Sequence, residues 1–170
     1  MNRLLLRIDA VARQSVPVAL TLLLVLISAL PPVLPVFREA APAWVLIAVF
    51  HWSVQRPELM PVQAAFVIGL LQDLLLGLPP GSSALIYVVL RGVAGRIAQL
   101  TAGRGFVNLW IMFAGAAAGA GLLRYLIMTV WLERVLDPVP ALFELLLTVG
   151  VFPLVSWLLT RLQRGLLTHA

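Results

Sequence analysis

Between Pro61 and Leu85 the chain reads PVQAAFVIGLLQDLLLGLPPGSSAL, an apolar run with one carboxylate, Asp73, broken at Gly77-Leu78-Pro79-Pro80-Gly81. Apolar segments of this kind have one stable form in a bilayer, because every backbone N–H and C=O must be satisfied within the segment; that form is a helix. The break is short and uncharged, so it predicts two helices folded back antiparallel as a membrane hairpin. Asp73 sits among Leu70, Leu71, Leu74, Leu75 and Leu76. A carboxylate there costs roughly 3 kcal/mol unless something pairs with it. A partner is therefore expected.

The remainder of the chain follows the same logic. Of its 170 residues 62% are hydrophobic and only 11% charged, against about 25% charged in soluble domains. No polar run is long enough for a soluble domain, so residues 1–170 are expected to form one transmembrane bundle. Residues 1 to 14 alternate Arg3, Arg7, Arg13 and Asp9 with Leu4, Leu5, Leu6, Ile8 and Val11, the pattern of an interfacial helix on the cytoplasmic leaflet. Span one is expected from Val16 to Leu30, ended by Pro31, Pro32 and Pro35. Span two runs Ala43 to Val54 and is short for a bilayer crossing, which takes about twenty apolar residues. Spans three to six are placed at Pro61 to Leu78, Ser82 to Leu100, Phe106 to Leu132, and Pro138 or Pro140 to Thr160, the last interrupted at Pro153.

Arginine placement sets the orientation, since basic residues in short loops mark the cytoplasmic side. Arg3, Arg7, Arg13, Arg56, Arg96, Arg104, Arg161 and Arg164 fall on one side, Arg38 and Arg134 on the other. The reading is an all-α polytopic protein with six transmembrane helices and both termini in the cytoplasm. The net charge of +5 suits anionic lipid headgroups rather than nucleic acid, because no basic stretch alternates with exposed aromatics.

Ionisable residues inside spans mark pairing or a cavity; here they are His51, Asp73, Arg91, Arg124 and Glu144. Helical rise places Asp73 and Arg91 about 6 Å apart in depth on neighbouring helices, so Arg91 is one candidate partner for Asp73 and Arg124 the other. His51 with Trp52 reads as a hydrogen-bonding residue near the inner end of span two. With His169 the only other imidazole and no Cys in the chain, no metal site is expected. Nucleotide loops, nucleophile elbows and paired-histidine motifs are lacking too, so neither a cofactor nor an enzyme is predicted. Gly115-x-x-x-Gly119 in span five offers a face on which another backbone can pack closely, within the bundle, on a partner, or on a second copy.

Pro42-x-Trp44-Val45-Leu46, His51-Trp52, Arg56-Pro57, Phe66, Gly69, Asp73-Leu74, Gly77, Gly81 and Ala84-Leu85 resemble the membrane core of the rod shape-determining protein MreD family. The most distinctive part is the G-x-x-x-D-L-x-x-G-x-x-x-G-x-x-A-L run from Gly69 to Leu85. Pro80 and Arg91 depart from the family's usual pattern. The resemblance implies a fold similar to the substrate-binding subunits of energy-coupling-factor transporters. It also implies a non-enzymatic inner-membrane subunit of the elongasome, the machinery of lateral peptidoglycan synthesis. Implied partners are MreC, the MreB filament, RodA with its class B penicillin-binding transpeptidase, and membrane lipids. The alternative is a small-solute-binding subunit of a vitamin-type transporter. Structural or partner-contact candidates are Trp44, Arg56, Asp73, Gly77, Gly81, Arg91, Gly115, Gly119 and Arg124.

Overall fold

The computed structural model describes residues 17–29, 41–101, 103 and 105–167, with side chains as far as Leu162. All regular structure in them is helical: α1 (Pro17–Ala29), α2 (Trp44–Gln55), α3 (Val62–Leu76), α4 (Ser82–Thr101), α5 (Gly105–Trp131) and α6 (Pro138–Leu167). A 3₁₀ turn, Pro57–Leu59, joins α2 to α3. The sequence-based boundaries of spans two to five hold within two residues, whereas α6 runs to Leu167, seven residues past the expected end at Thr160. The interfacial segment 1 to 14, the proline break at Pro31, Pro32 and Pro35, and Arg38 lie outside the described residues.

Length divides the helices into two groups. The helices α4, α5 and α6 are long and apolar enough to cross a membrane, whereas α1, α2 and α3 are shorter apolar helices. Burial explains why α2 tolerates its shortness: every residue from Val45 to Ser53 is buried, so its backbone is covered by protein rather than lipid. A helix that is apolar all round belongs in the core. It lies against α4 on one side and α6 on the other, while α3 pairs with α4, α4 with α5, and α5 with α6. The outer helices bury single stripes at helical spacing. In α3 these are Ala65, Ile68, Gly69, Gln72 and Asp73; in α5 they are Leu109, Phe113 and Ala117. An aromatic cluster joins three helices, with Phe113 stacked on Phe152 at 4.0 Å and Phe50 edge-on to Phe113 at 5.0 Å.

Two details of packing differ from the expectations. Close backbone approach occurs at Gly69, not at the Gly115 to Gly119 face. A Cβ added at Gly69 would lie 2.4 Å from the backbone of Ala84, whereas one added at Gly115 or Gly119 meets nothing within 4 Å. Gly69 thus lets α3 and α4 touch backbone to backbone. The second difference is at Pro153, which does not interrupt α6: the helix runs through it. Proline cannot donate to the carbonyl four residues earlier, which here is that of Val149. The indole of Trp110 on α5 donates to this carbonyl at 2.8 Å, filling the place of the lost helical bond.

These contacts predict opposite responses of two sets of glycines. Gly69→Ala should lower stability by about 1–3 kcal/mol, the usual range for overpacking, while Gly115→Ala and Gly119→Ala should be near neutral; thermal aggregation of detergent-purified protein, followed by size-exclusion, reads this order. Trp110→Phe should cost about 1 kcal/mol by leaving the Val149 carbonyl unbonded. Pro153→Ala, which supplies a helical N–H to the same carbonyl, should restore part of that loss when the two are combined. Strict additivity of the pair would dissociate Trp110 from the proline.

Candidate functional site

Among the described residues the buried carboxylate of Asp73 has no cation beside it. The expected pairing with Arg91 or Arg124 is not formed, because each of those arginines is engaged elsewhere. Asp73 instead closes the α3–α4 turn from both ends. Its backbone carbonyl accepts from Gly77 and Leu78, ending α3. Its side chain accepts from the N–H of Gly81 at 2.9 Å, from the hydroxyl of Ser82 at 3.0 Å and from the N–H of Ser83 at 3.0 Å, starting α4. The first N–H groups of a helix have no partner of their own and carry the positive end of its dipole. A carboxylate placed there is satisfied without a countercharge, and Asp73 is completely buried. The turn geometry requires glycine twice, at Gly77 with φ of 64° and at Gly81 with φ of 95°, both in the region that L residues with a Cβ rarely adopt. Beside this turn, buried Gln72 of α3 accepts a hydrogen bond from the hydroxyl of Tyr87 on α4.

Arg91 works at the other end of the same helix pair. Its Nε donates to the carbonyl of Met60 at 2.6 Å and its terminal nitrogen to that of Pro57 at 2.9 Å. The guanidinium thereby caps the 3₁₀ turn and ties it to α4. Arg56, exposed on that turn, reaches Glu58 at 3.3 Å. Trp44 opens α2 half-buried, next to Ala43, whose N–H donates to Thr148 of α6 at 2.9 Å. His51 is buried, with Nδ1 and the Ser156 hydroxyl 3.1 Å apart.

Arg124 of α5 forms an ion pair with Glu144 of α6 at 3.0 Å. The two line a cavity of about 370 Å³ with Ala43, Leu46, Ala117, Gly121, Met128, Asp137 and Leu145 among the other walls. Among the described residues no three His, Asp or Glu side chains are placed to hold a metal ion. The structure therefore gathers the predicted residues into separate couplings rather than one centre: Asp73 with Gly77 and Gly81, Arg91 with the 57–60 turn, and Arg124 with Glu144. Gly115 and Gly119 stand exposed on the outer side of α5. Sequence reasoning missed Ser82 and Ser83 as the carboxylate's partners, although two serines directly after Pro-Pro-Gly at the head of an apolar run are a helix-start signal.

This arrangement predicts a graded response. Asp73→Ala should cost about 1–3 kcal/mol or more, as loss of a group serving buried donors does. Asp73→Asn should cost less, and Ser82→Ala, which removes one bond, about 1 kcal/mol. Adding Arg91→Ala or Arg124→Ala to Asp73→Ala should deepen the defect. Recovery of folded protein in either double variant would restore the ion-pair account.

The described apolar helices suit a membrane protein, and the comparisons agree with that character. The family model for the rod shape-determining protein MreD matches residues 11–162 of the chain. No curated protein and no solved structure matches it, so the likeness to energy-coupling-factor subunits, and the transporter reading that rests on it, gain no support. The match spans the α3–α4 hairpin with its Asp73 lock, the Arg91 clamp and the long helices α5 and α6, and on that extent the chain belongs to the MreD family of rod shape-determining proteins.

Proposed function

We propose that the protein is a non-enzymatic, multi-pass subunit of the bacterial inner membrane that maintains rod shape by coupling the MreB filament and MreC to lateral peptidoglycan synthesis by RodA and its class B transpeptidase. The observation that carries this reading is the family match over residues 11–162. The placement of polar groups supports it physically. Asp73, Arg91, Arg124 and Glu144 each bond within the bundle, which suits a body that other proteins grip. The apolar helices and the arginine asymmetry support six spans with both termini cytoplasmic.

The contact surfaces follow from what the bundle leaves uncovered. On α5, Gly115 and Gly119 are exposed and an added Cβ at either meets nothing within 4 Å, so this small-residue face is the seat for a partner helix or a second copy. Arg56 and Arg96 at the cytoplasmic turns serve filament or anionic lipid. The segment 133 to 140 faces periplasmic partners, with Val135 fully displayed at 85% exposure.

Depletion should turn rod-shaped cells round, and the protein should copurify with MreC in mild detergent. Gly115→Leu with Gly119→Leu should weaken that copurification more than it lowers the yield of folded protein, because an added Cβ at either position meets nothing within 4 Å. Single cysteines at Asp137, which is exposed, and at Ala170, tested with an impermeant thiol reagent on cells whose outer membrane is permeabilised, should label at 137 only. Depleted cells that keep their rod shape, or a purified protein that turns over a substrate, would overturn the reading.

A further inference from the structure

The cavity between α2, α5 and α6 has a chemistry that none of the couplings above requires. Its floor is cut by small residues, Ala117 and Gly121 on α5 and Ala141 on α6, and its apolar walls include Leu46, Met128 and Leu145. At about 370 Å³ it falls within the range of roughly 300–1,000 Å³ typical of small-molecule sites. One guanidinium, Arg124, and two carboxylates, Glu144 and Asp137, line it.

These three groups retain bonding capacity. Arg124 gives one terminal nitrogen to Glu144 at 3.0 Å, and a guanidinium carries five N–H donors. Asp137 receives the N–H of Val139 on Oδ1, and among the described residues its Oδ2 and the second oxygen of Glu144 accept nothing. The other polar groups are taken: the Tyr125 hydroxyl donates to the carbonyl of Leu136 at 2.8 Å, and Thr148 bridges Ala43 and the carbonyl of Glu144. The cavity thus offers donors for one anion, acceptors for one cation in excess of its own, and an apolar wall.

Depth selects the source of such a ligand. The 27 residues of α5 make about 40 Å of helix, some 5 Å beyond a hydrocarbon core of about 30 Å at each end. Arg124 precedes the end of α5 at Trp131 by about 10 Å of helix and Glu144 follows the start of α6 by about 9 Å. The ion pair therefore lies roughly 5 Å inside the hydrocarbon boundary, close to where a phospholipid's polar and apolar parts meet.

We propose that this cavity binds the head of a zwitterionic phospholipid bearing a primary ammonium, with the phosphate on Arg124, the ammonium on the carboxylates of Glu144 and Asp137, and the first methylenes of a chain against Leu46, Met128 and Leu145. The proposal is independent of which proteins the bundle assembles with. A second prediction follows from Gly121, where an added Cβ meets nothing within 4 Å. A leucine there adds bulk at the wall of the cavity.

Native mass spectrometry of the full chain in mixed micelles tests this, with phosphatidylethanolamine and phosphatidylglycerol offered in equal amounts. Wild type should retain the ethanolamine lipid preferentially. The preference should fall about tenfold, the fold-change that accompanies loss of one charge-assisted hydrogen bond, in Arg124→Gln/Glu144→Gln, which removes both ion-pair charges together. It should fall also in Gly121→Leu, whose intact fold is read from its thermal midpoint. Water-soluble phosphoethanolamine should compete only weakly, because it lacks the apolar chain. Equal retention of both lipids, a preference unchanged in both variants, or soluble headgroup binding as tightly as the lipid would overturn the proposal; the last would assign the cavity to a soluble zwitterion.

Discussion

A buried carboxylate bonded to backbone N–H groups is the interaction on which the hairpin depends. Asp73 accepts the N–H groups of Gly77 and Leu78 at its backbone carbonyl, ending α3, and the first N–H groups of α4 at its side chain. Both helix ends would otherwise present unpaired backbone groups at a depth where water is scarce. The charge is spent on the turn itself: among the described residues its four hydrogen-bonding contacts all come from that one turn. A salt bridge to a third helix would have tied the hairpin to the bundle but left the head of α4 unsatisfied. The left-handed glycines on either side of the Pro-Pro pair, Gly77 and Gly81, bring those N–H groups within reach.

With the turn fixed, Gly69 and Ala84 can meet at backbone contact, and α4 is held as the longer rail beside α3. Arg91 then fastens the opposite end by donating to the carbonyls of Pro57 and Met60. The α3–α4 pair is therefore secured at both ends by side chains bonding backbone, and in the middle by a glycine. That arrangement positions α2 in the core, where its fully buried middle needs no lipid contact, and sets α4 between α2 and α5.

Much of this was legible in the residues. Apolar runs and their Pro, Gly and Ser punctuation placed α2 to α6, and the lack of charge in the Gly77 to Gly81 turn marked the hairpin. What the sequence concealed has one physical cause. Charge arithmetic counts side chains, so Asp73 was matched against Arg91 and Arg124, while its actual partners are backbone N–H groups that look alike at every position. Arg91 was misread for the same reason, since its acceptors are carbonyls. The small-residue motif misled differently: Gly115 and Gly119 have the spacing of a packing face, but spacing does not say which glycine has a neighbour. Gly69, an isolated glycine within the hairpin motif, has one. Pro153 signals a broken helix unless a donor from elsewhere supplies the missing bond, and Trp110 lies 43 residues earlier in the chain.

The contrast between short and long helices shapes the surface that the membrane meets. The 15 residues of α3 make about 22 Å of helix, less than the hydrocarbon thickness, yet Phe66, Val67, Leu74 and Leu75 on its outer face are exposed. Pro61 before the helix and Pro80 after it are apolar and exposed as well, so the outer face of the hairpin carries no charge from Val62 to Pro80. On the other side α5 and α6 overshoot the hydrocarbon, and their outward residues, from Ile111 and Leu122 to Leu146 and Leu154, are exposed and apolar. A bundle that bonds its polar groups inward presents neighbours with contour rather than charge. Helix partners in lipid gain little from apolar burial, because lipid is equally apolar, and associate through close van der Waals fit. On this surface the closest fit is offered where side chains are smallest, along exposed Gly115 and Gly119 of α5.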